Sequence, residues 1–248
     1  MKIALIGYGA MGKLIRTLAE EKGHEIVAVV DDADAGLSST QLAEKLKGPD
    51  VAIDFSSAEA VRRNIKACVL AGVPLVVGTT GWNVQRSEIE QIVRDGSGAM
   101  VFGANFSIGV NLFYRITDFA AELFAAFPEY EAFIEEQHHS RKKDAPSGTA
   151  LKLKEIVSRH VGDDFSVSST RAGNIPGTHR VGFDGPADQV LLQHSARSRE
   201  GFASGALLAA EWIFGKKGFY EFTEVMDVIC QNRLVSGRRD RNDGERAL

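Results

Sequence analysis

The tightest constraint on the fold is a strand, a glycine loop and a helix in immediate succession over the first twenty residues or so. Lys2 to Ile6 is a short β-rich run, and Gly7-Tyr8-Gly9-Ala10-Met11-Gly12 follows it. Leu14, Ile15, Leu18 and Ala19 then recur at helical spacing among Lys13, Arg16 and Glu20, and Gly23 ends the helix. A second strand, Glu25 to Val30, runs into Asp31 and Asp32. A lone Gly-x-Gly-x-x-Gly is common in turns. Between a strand and a helix, with an aspartate at the end of the next strand, it is the pattern of a dinucleotide-binding unit. Gly7 permits the tight turn, Gly9 lets backbone approach a pyrophosphate, and Gly12 lets helix and strand pack closely. The helix start offers amides and a partial positive charge to phosphate.

The alternation continues. A short helix at Gln41 to Leu46 follows a loop at Asp34 to Thr40, and Val51 to Phe55 is a third strand. Ser56-Ser57-Ala58-Glu59 reads as a capping box ahead of a helix carrying Val61, Ile65, Cys68 and Val69. Pro74 to Val77 is a fourth strand, ending in Gly78-Thr79-Thr80-Gly81; a helix from about Val84 to Val93 precedes a fifth strand at Ala99 to Phe102. This predicts an α/β fold of Rossmann type, a doubly wound parallel sheet wrapped by helices. Then the pattern changes to a long helix (110–127), a strand (130–138), a helix (148–160) and three extended segments near 165–171, 178–184 and 188–198. That predicts a second, α+β domain. An apolar helix follows at Ala206 to Phe214, and Gly237 to Arg246 is almost wholly polar and expected to be frayed.

Charge and composition narrow the function classes. A formal net charge of -4 argues against nonspecific nucleic-acid binding, which needs Lys and Arg to neutralise phosphates. The chain has two cysteines, Cys68 and Cys230, without metal-ligand spacing. Cys68 falls on the apolar side of a helical pattern, so a buried thiol in a reducing, cytoplasmic compartment is expected. The first residues contain neither a long apolar span nor a signal cleavage site, and no membrane association is expected.

The run His138-His139-Ser140-Arg141-Lys142-Lys143-Asp144-Ala145-Pro146-Ser147-Gly148-Thr149 brings together two imidazoles, three cations and a Pro-Ser-Gly-Thr turn just before a helix. Such a cluster can hold an anion and deliver a proton near neutral pH. The plain alternative is a solvated basic loop with a Ser/Thr helix cap. Adjacent histidines at a strand end point to opposite faces, so they do not chelate one ion together. With no carboxylate or thiol at metal-ligand spacing, no metal is expected.

These residues resemble the 4-hydroxy-tetrahydrodipicolinate reductase (dihydrodipicolinate reductase) family. The resemblance rests on His138-His139-x-x-Lys142-x-Asp144-Ala145-Pro146-Ser147-Gly148-Thr149-Ala150, and extends over nearly the whole chain. It includes Asp54-Phe55-Ser56, Gly78-Thr79-Thr80-Gly81, Ala104 to Asn111, Arg171-Ala172-Gly173-Asn174-Ile175-x-Gly177-x-His179 and Ser195-Ala196-Arg197. Many members have a glycine loop one residue longer, and an Arg often stands where this chain has Asp32. The tail beyond about Val235 has no counterpart.

The resemblance implies a nicotinamide cofactor held by an N-terminal domain of residues 1–107, with 212–248 packing back on it, and a substrate domain at 108–211. The cofactor-binding residues are then Gly7, Tyr8, Gly9, Ala10, Met11, Gly12 and Asp31, with Gly78, Thr79, Thr80, Gly103, Ala104, Asn105 and Phe106 near the nicotinamide. The substrate is a cyclic imine dicarboxylate, reduced with loss of its hydroxyl as water. His138 is the expected general acid, Lys142 stabilises charge, holds a carboxylate and can share the acid role, and His139, Gly148 and Thr149 fix carboxylates; His179 and Arg197 are expected to be structural or rim residues, and Arg141 and Lys143 largely solvated. A homotetramer is implied, with the second domain's sheet joining subunits edge to edge. Asp31 facing the adenine ribose favours NADH over NADPH, although Lys45 folding back would permit both. The rivals are a related two-domain amino- or imino-acid dehydrogenase and an NADH-sensing protein without turnover.

Overall fold

The computed structural model describes residues 1–245, with side chains described as far as residue 235. Two compact units emerge: Met1–Phe106 together with the chain from Ala203 onward, and Ser107–Phe202. In the first unit β1 (Lys2–Ile6), α1 (Ala10–Glu21), β2 (Glu25–Val30), α2 (Ser39–Lys45), β3 (Val51–Asp54), α3 (Ala58–Ala71), β4 (Leu75–Val77), α4 (Arg86–Asp95) and β5 (Ala99–Phe102) alternate as the sequence predicts. A short three-ten turn at Asp32–Asp34 occupies part of the expected loop.

All strands of this sheet run parallel, in the order β2-β1-β3-β4-β5-β10. Strand β10 (Gly218–Glu221) is a sixth strand that the sequence pattern did not reveal. Its four residues, Gly-Phe-Tyr-Glu, are too few to show a period against the neighbouring lysines. The chain leaves β1 for β2 on one side and returns to β3 on the other, so the direction of winding reverses between β1 and β3. Ligands of open parallel sheets bind at the carboxyl ends beside such a reversal. β1, β3, β4 and β5 are buried on both faces, as their Ile-, Val- and Leu-rich runs require.

Two glycines meet steric demands stated by the motif. A Cβ on Gly7, which has φ +87°, would lie 2.5 Å from the Phe55 carbonyl oxygen, and one on Gly12 would lie 2.2 Å from that of Gly7. Nothing stands within 4 Å of a Cβ on Gly9, leaving room above the loop. The capping box expected at Ser56 to Glu59 is absent: Ser57 is the N-cap and makes no side-chain cap bond, while the Ser56 hydroxyl turns instead to Asp54.

In the second unit α5 (Ile108–Phe124), β6 (Glu131–His138), α6 (Gly148–Val161), β7 (Ser166–Arg171), β8 (Thr178–Asp184) and β9 (Gln189–Ser195) form a mixed sheet in the order β7-β6-β8-β9. β7 is parallel to β6, and the other pairs are antiparallel. Ala132, Ile134, Val181 and Phe183 on one sheet face pack with Val110, Phe113 and Ala121 of α5 and with Leu153 and Val157 of α6. The other face carries Phe133 over Gly182, Glu135 paired with Arg180, and the half-exposed Leu191.

Helix α7 (Glu200–Ile213) then leads to β10 and α8 (Phe222–Glu245). The return to the first unit begins at Ala203 rather than at the expected residue 212. Small residues explain the early return. Ala203, Ala206, Ala209 and Ala210 are fully buried, and a Cβ on Gly205 would fall 1.7 Å from the Phe106 carbonyl oxygen. The tail expected to fray continues α8 as backbone to Glu245, while Arg246 lies outside the described residues. Gly205→Ala is expected to destabilise the protein by roughly 1–3 kcal/mol through overpacking. Gly36→Ala, with nothing within 4 Å of its Cβ, should change stability by less than about 0.5 kcal/mol. Urea unfolding of the two variants checks the contrast.

Candidate active site

The first unit has a cleft of about 790 Å³ at the carboxyl ends of β1, β2 and β3. Gly7, Tyr8, Gly9 and Asp31 line it with Lys13, Asp32, Ala33, Ala35, Ser57 and Arg63. Ala10, Met11 and Gly12 form the first turn of α1, whose Gly9 N-cap supplies no side-chain bond, so the turn's amides meet no internal cap. The Asp31 carboxylate accepts the Ala33 amide at 3.0 Å through Oδ1, and the Asp34 carboxylate accepts the Asp31 amide at 3.1 Å. Lys45 does not fold back to Asp31. Its ammonium is paired with Asp34 at 2.5 Å and holds that carboxyl below the usual range.

Sequence reasoning missed Arg63, two turns into α3. Its Nη1 donates to the carbonyls of Ala35 at 2.6 Å and Asp34 at 3.2 Å, and its Nε and Nη2 donate to Asn64 Oδ1 at 3.2 and 3.1 Å. Most of its in-plane donors are therefore spent on neutral oxygens. No spacing rule relates position 63 to Asp31; only the packing of α3 beside the loop after β2 does so.

Gly78, Thr79 and Thr80 follow β4, and Gly103, Ala104, Asn105 and Phe106 follow β5. Both segments stand at the carboxyl edge of the sheet. Within them, two side chains serve the protein itself. The Thr79 hydroxyl bonds to Asp54 at 3.2 Å, and Phe106 is buried against Phe222 with centroids 4.5 Å apart. Asp54, fully buried, also accepts the Ser56 amide and hydroxyl at 2.8 and 2.6 Å and the Asn64 side chain at 2.8 Å. Burial raises its pKa, opposed by these donors. The Cys68 thiol is buried as expected, and burial pushes it up.

In the second unit the buried face of β6 carries Ala132, Ile134, Glu136 and His138 in alternation. His138 Nδ1 is hydrogen-bonded to Glu136 Oε2. Arg171 Nη2 donates to Glu136 Oε1 at 2.6 Å, and the Ser147 amide reaches the same oxygen at 3.3 Å. Burial would raise the Glu136 pKa, but the bonds from Arg171, Ser169 and His138 outweigh it and hold the carboxyl down at about 2. The His138 pKa is lowered, first by burial and further by Lys142 and Arg171, against the opposite pull of Glu136.

The remaining predicted residues surround this pair. Lys142 is paired with Asp144 at 2.8 Å. His139 follows on the opposite side of the chain, half-buried, and its buried Nδ1 has no hydrogen-bond partner among the described residues. Gly148 opens α6, whose Ser147 N-cap hydroxyl accepts the Ala150 amide at 3.2 Å. The Thr149 side chain is hydrogen-bonded to Tyr114 of α5, whose phenol burial pushes up to about 12.

Of its two expected places His179 takes the structural one: it is buried, its ring stands 5.1 Å from that of His138, and its Nε2 meets the Ser147 hydroxyl at 3.1 Å. Burial drives its pKa down to about 4. Arg141 and Lys143 are exposed, as expected, and Arg141 donates to Asn174 at 3.0 Å. Glu136, His138 and His179 place their ligand atoms within 4.8 Å of one another, although no metal-ligand spacing was read from the sequence. The Glu136 oxygens are already occupied by Arg171, the Ser147 amide and His138, and the cations Arg171 and Lys142 oppose a further one. Glu136 itself was legible: positions 136 and 138 share a strand face by the period of two. Arg171 was not, because β7 lies beside β6 only through the fold.

Comparison with known proteins bears on both units. A family model described as "Dihydrodipicolinate reductase, N-terminus" matches residues 1–106, and one described as "Dihydrodipicolinate reductase, C-terminus" matches residues 109–226. A 4-hydroxy-tetrahydrodipicolinate reductase of Christiangramia forsetii is 35% identical over 246 residues, covering 94% of this chain and all of that one. A protein of the same name from Methanosarcina barkeri is 34% identical, covering 91% of this chain and 99% of that one. Among solved structures, dipicolinate-bound dihydrodipicolinate reductase from Paenisporosarcina sp. TG-14 matches with a TM-score of 0.73 at 23% identity, over 89% of this chain and 97% of that chain.

The two displaced pKa values predict acid sensitivity in two stages. His179 stays neutral in the folded protein to about pH 4 while the unfolded chain binds a proton near 6.5, so stability is lost as pH falls through that window. Glu136 adds a loss between about 4.5 and about 2, where the unfolded chain takes up a proton first. Each stage is worth on the order of 3 kcal/mol. Urea unfolding from pH 7 downward should show this slope, with His179→Asn flattening the upper stage. A flat profile from pH 6.5 to 4 in the unaltered protein would contradict the assignment.

Proposed function

This chain belongs to the dihydrodipicolinate reductase family and is an oxidoreductase using a nicotinamide cofactor, and we propose the following roles for its residues. Its reaction is the reduction of 4-hydroxy-tetrahydrodipicolinate to tetrahydrodipicolinate with loss of water, in diaminopimelate and lysine biosynthesis. The observation that carries the assignment of roles is the His138–Glu136 pair beside Lys142 and the start of α6.

The first unit fits a dinucleotide, with room above Gly9, uncapped first-turn amides of α1 and an acidic residue at the end of β2. Gly7, Tyr8, Gly9, Ala10, Met11 and Gly12 hold the diphosphate, with Lys13 beside them. Asp31 accepts the ribose hydroxyls through its second carboxylate oxygen. Gly78 to Thr80 and Gly103 to Phe106 shape the nicotinamide end, Thr79 and Phe106 by backbone placement. When bound, the reduced nicotinamide supplies the hydride.

In the second unit His138 gives a proton to the substrate ring nitrogen as hydride reaches the ring carbon freed by loss of the hydroxyl. Burial makes its imidazolium the stronger acid. Lys142 holds a carboxylate and stabilises negative charge. His139, through its unpartnered Nδ1, and the first-turn amides at Gly148 and Thr149 fix the carboxylates. NADH is preferred, because Lys45 is spent on Asp34 and Arg63 on backbone carbonyls and Asn64, so the hydrogen bonds of both are committed away from a 2′-phosphate at Asp31 and Asp32. The protein works in the cytoplasm as a homotetramer, joined through the β6–β9 sheet. Leu191 and the Phe133–Gly182 pair on its outer face support this.

Freshly generated substrate, assayed with NADH and NADPH separately, tests the reaction; no oxidation of either cofactor would sink it. His138→Gln and Lys142→Ala are expected to lower turnover by about 10²–10⁴ while NADH binding persists. Asp31→Ala should raise the NADH KM roughly tenfold or more, the worth of hydrogen bonds to a charged group. Its effect on NADPH should be much smaller, and an equal loss for both cofactors would refute the ribose assignment.

A further inference from the structure

Glu136 sits inside the second unit with no exposed side-chain surface, yet it is ionised. A buried carboxylate is costly unless its oxygens are filled by donors. Here they are filled by three parts of the site. His138 Nδ1 takes Oε2, Arg171 takes Oε1, and the amide of Ser147, at the start of α6, takes Oε1 as well. Arg171 uses the same Nη2 to reach the backbone carbonyl of Asp144, in the basic loop that carries Lys142. The carboxylate therefore joins the proposed acid, the loop bearing the proposed cation and the helix end proposed for the substrate carboxylate.

We propose that Glu136 is a positioning residue for the reduction, holding His138 by Nδ1 so that Nε2 is the nitrogen that gives up the proton, and holding the basic loop in register through Arg171. The inference rests on the reading of His138 as the acid. In the protonated ring both nitrogens carry hydrogen. When the Nε2 proton passes to the substrate nitrogen, a neutral ring with its hydrogen on Nδ1 remains, and that is the tautomer a carboxylate acceptor stabilises. Gly177 packs beside the other nitrogen without a side chain: a Cβ there would stand 3.1 Å from Nε2, and its φ of +141° suits glycine alone. The charged and titratable groups facing the ring are Glu136 on β6, Arg171 closing β7, His179 on β8 and Lys142 in the basic loop. From α6 comes the Ser147 hydroxyl, bonded to His179.

The role gives opposite signs for two neighbours. An acid must be protonated, so turnover falls as pH rises through its titration. Glu136 favours the protonated ring and Arg171 disfavours it. Glu136→Gln should therefore move the alkaline limb of kcat/KM to lower pH and reduce kcat by roughly ten- to a hundredfold, part of the ~10²–10⁴ that a positioned acid contributes. Arg171→Gln should move the limb to higher pH. NADH binding, followed by fluorescence, should be retained in both. A loss of kcat in Glu136→Gln without movement of the limb would reduce Glu136 to a structural role and overturn the proposal, as would an unchanged kcat. Should Glu136→Gln not fold, a limb that stays put or moves down in Arg171→Gln overturns it equally. His138→Gln separates the two readings. If it turns over like the unaltered protein, the acid assignment itself fails; if it is inactive while the limbs do not move, only the role of Glu136 fails.

Discussion

Each unit of this protein is organised around one buried carboxylate, and the need to saturate it with donors determines much of what surrounds it. A carboxylate removed from water costs several kcal/mol unless its lone pairs are filled. Asp54 is filled from β3's own end, from α3 and from the loop after β4. Glu136 is filled from β6, β7 and the start of α6. In both cases the donors come from several segments that meet only in the fold. The same bonds that make burial tolerable also fix loops that would otherwise be loose.

The two carboxylates differ in their charge balance. Asp54 has only neutral donors, and burial lifts its pKa; it ties Ser56, Asn64 and Thr79 together beneath the strand ends. Glu136 has a guanidinium and an imidazole, and they carry its pKa down to about 2 despite its burial. The Glu136 charge acts on the neighbouring His138 ring through a medium that screens it little.

Local sequence carried the first unit well. Gly7 and Gly12 were required by close approach, and the structure shows those approaches at 2.5 and 2.2 Å. The alternation of strands and helices, being local, needed no partner to be read. What failed there was short or non-local: β10, only four residues long, and the Ser56 hydroxyl, which abandons its expected cap for Asp54. The early return at Ala203 was hidden because alanine and glycine carry no period of their own, while their burial depends on the Phe106 backbone they touch.

For the site, the sequence by itself determined which residue types stand together along the chain: the glycine loop, Asp31, the adjacent histidines, Lys142 and the turn into α6. The period of two along β6 also made Glu136 a neighbour of His138. Only the tertiary structure brought Arg171 and His179 to that pair, put Arg63 beside the loop after β2, and spent Lys45 on Asp34. The division has a physical cause. Side-chain period and turn chemistry act over a few residues and are written in order. Which charge neutralises which is decided by strands and helices that meet only after folding, across tens of residues of chain.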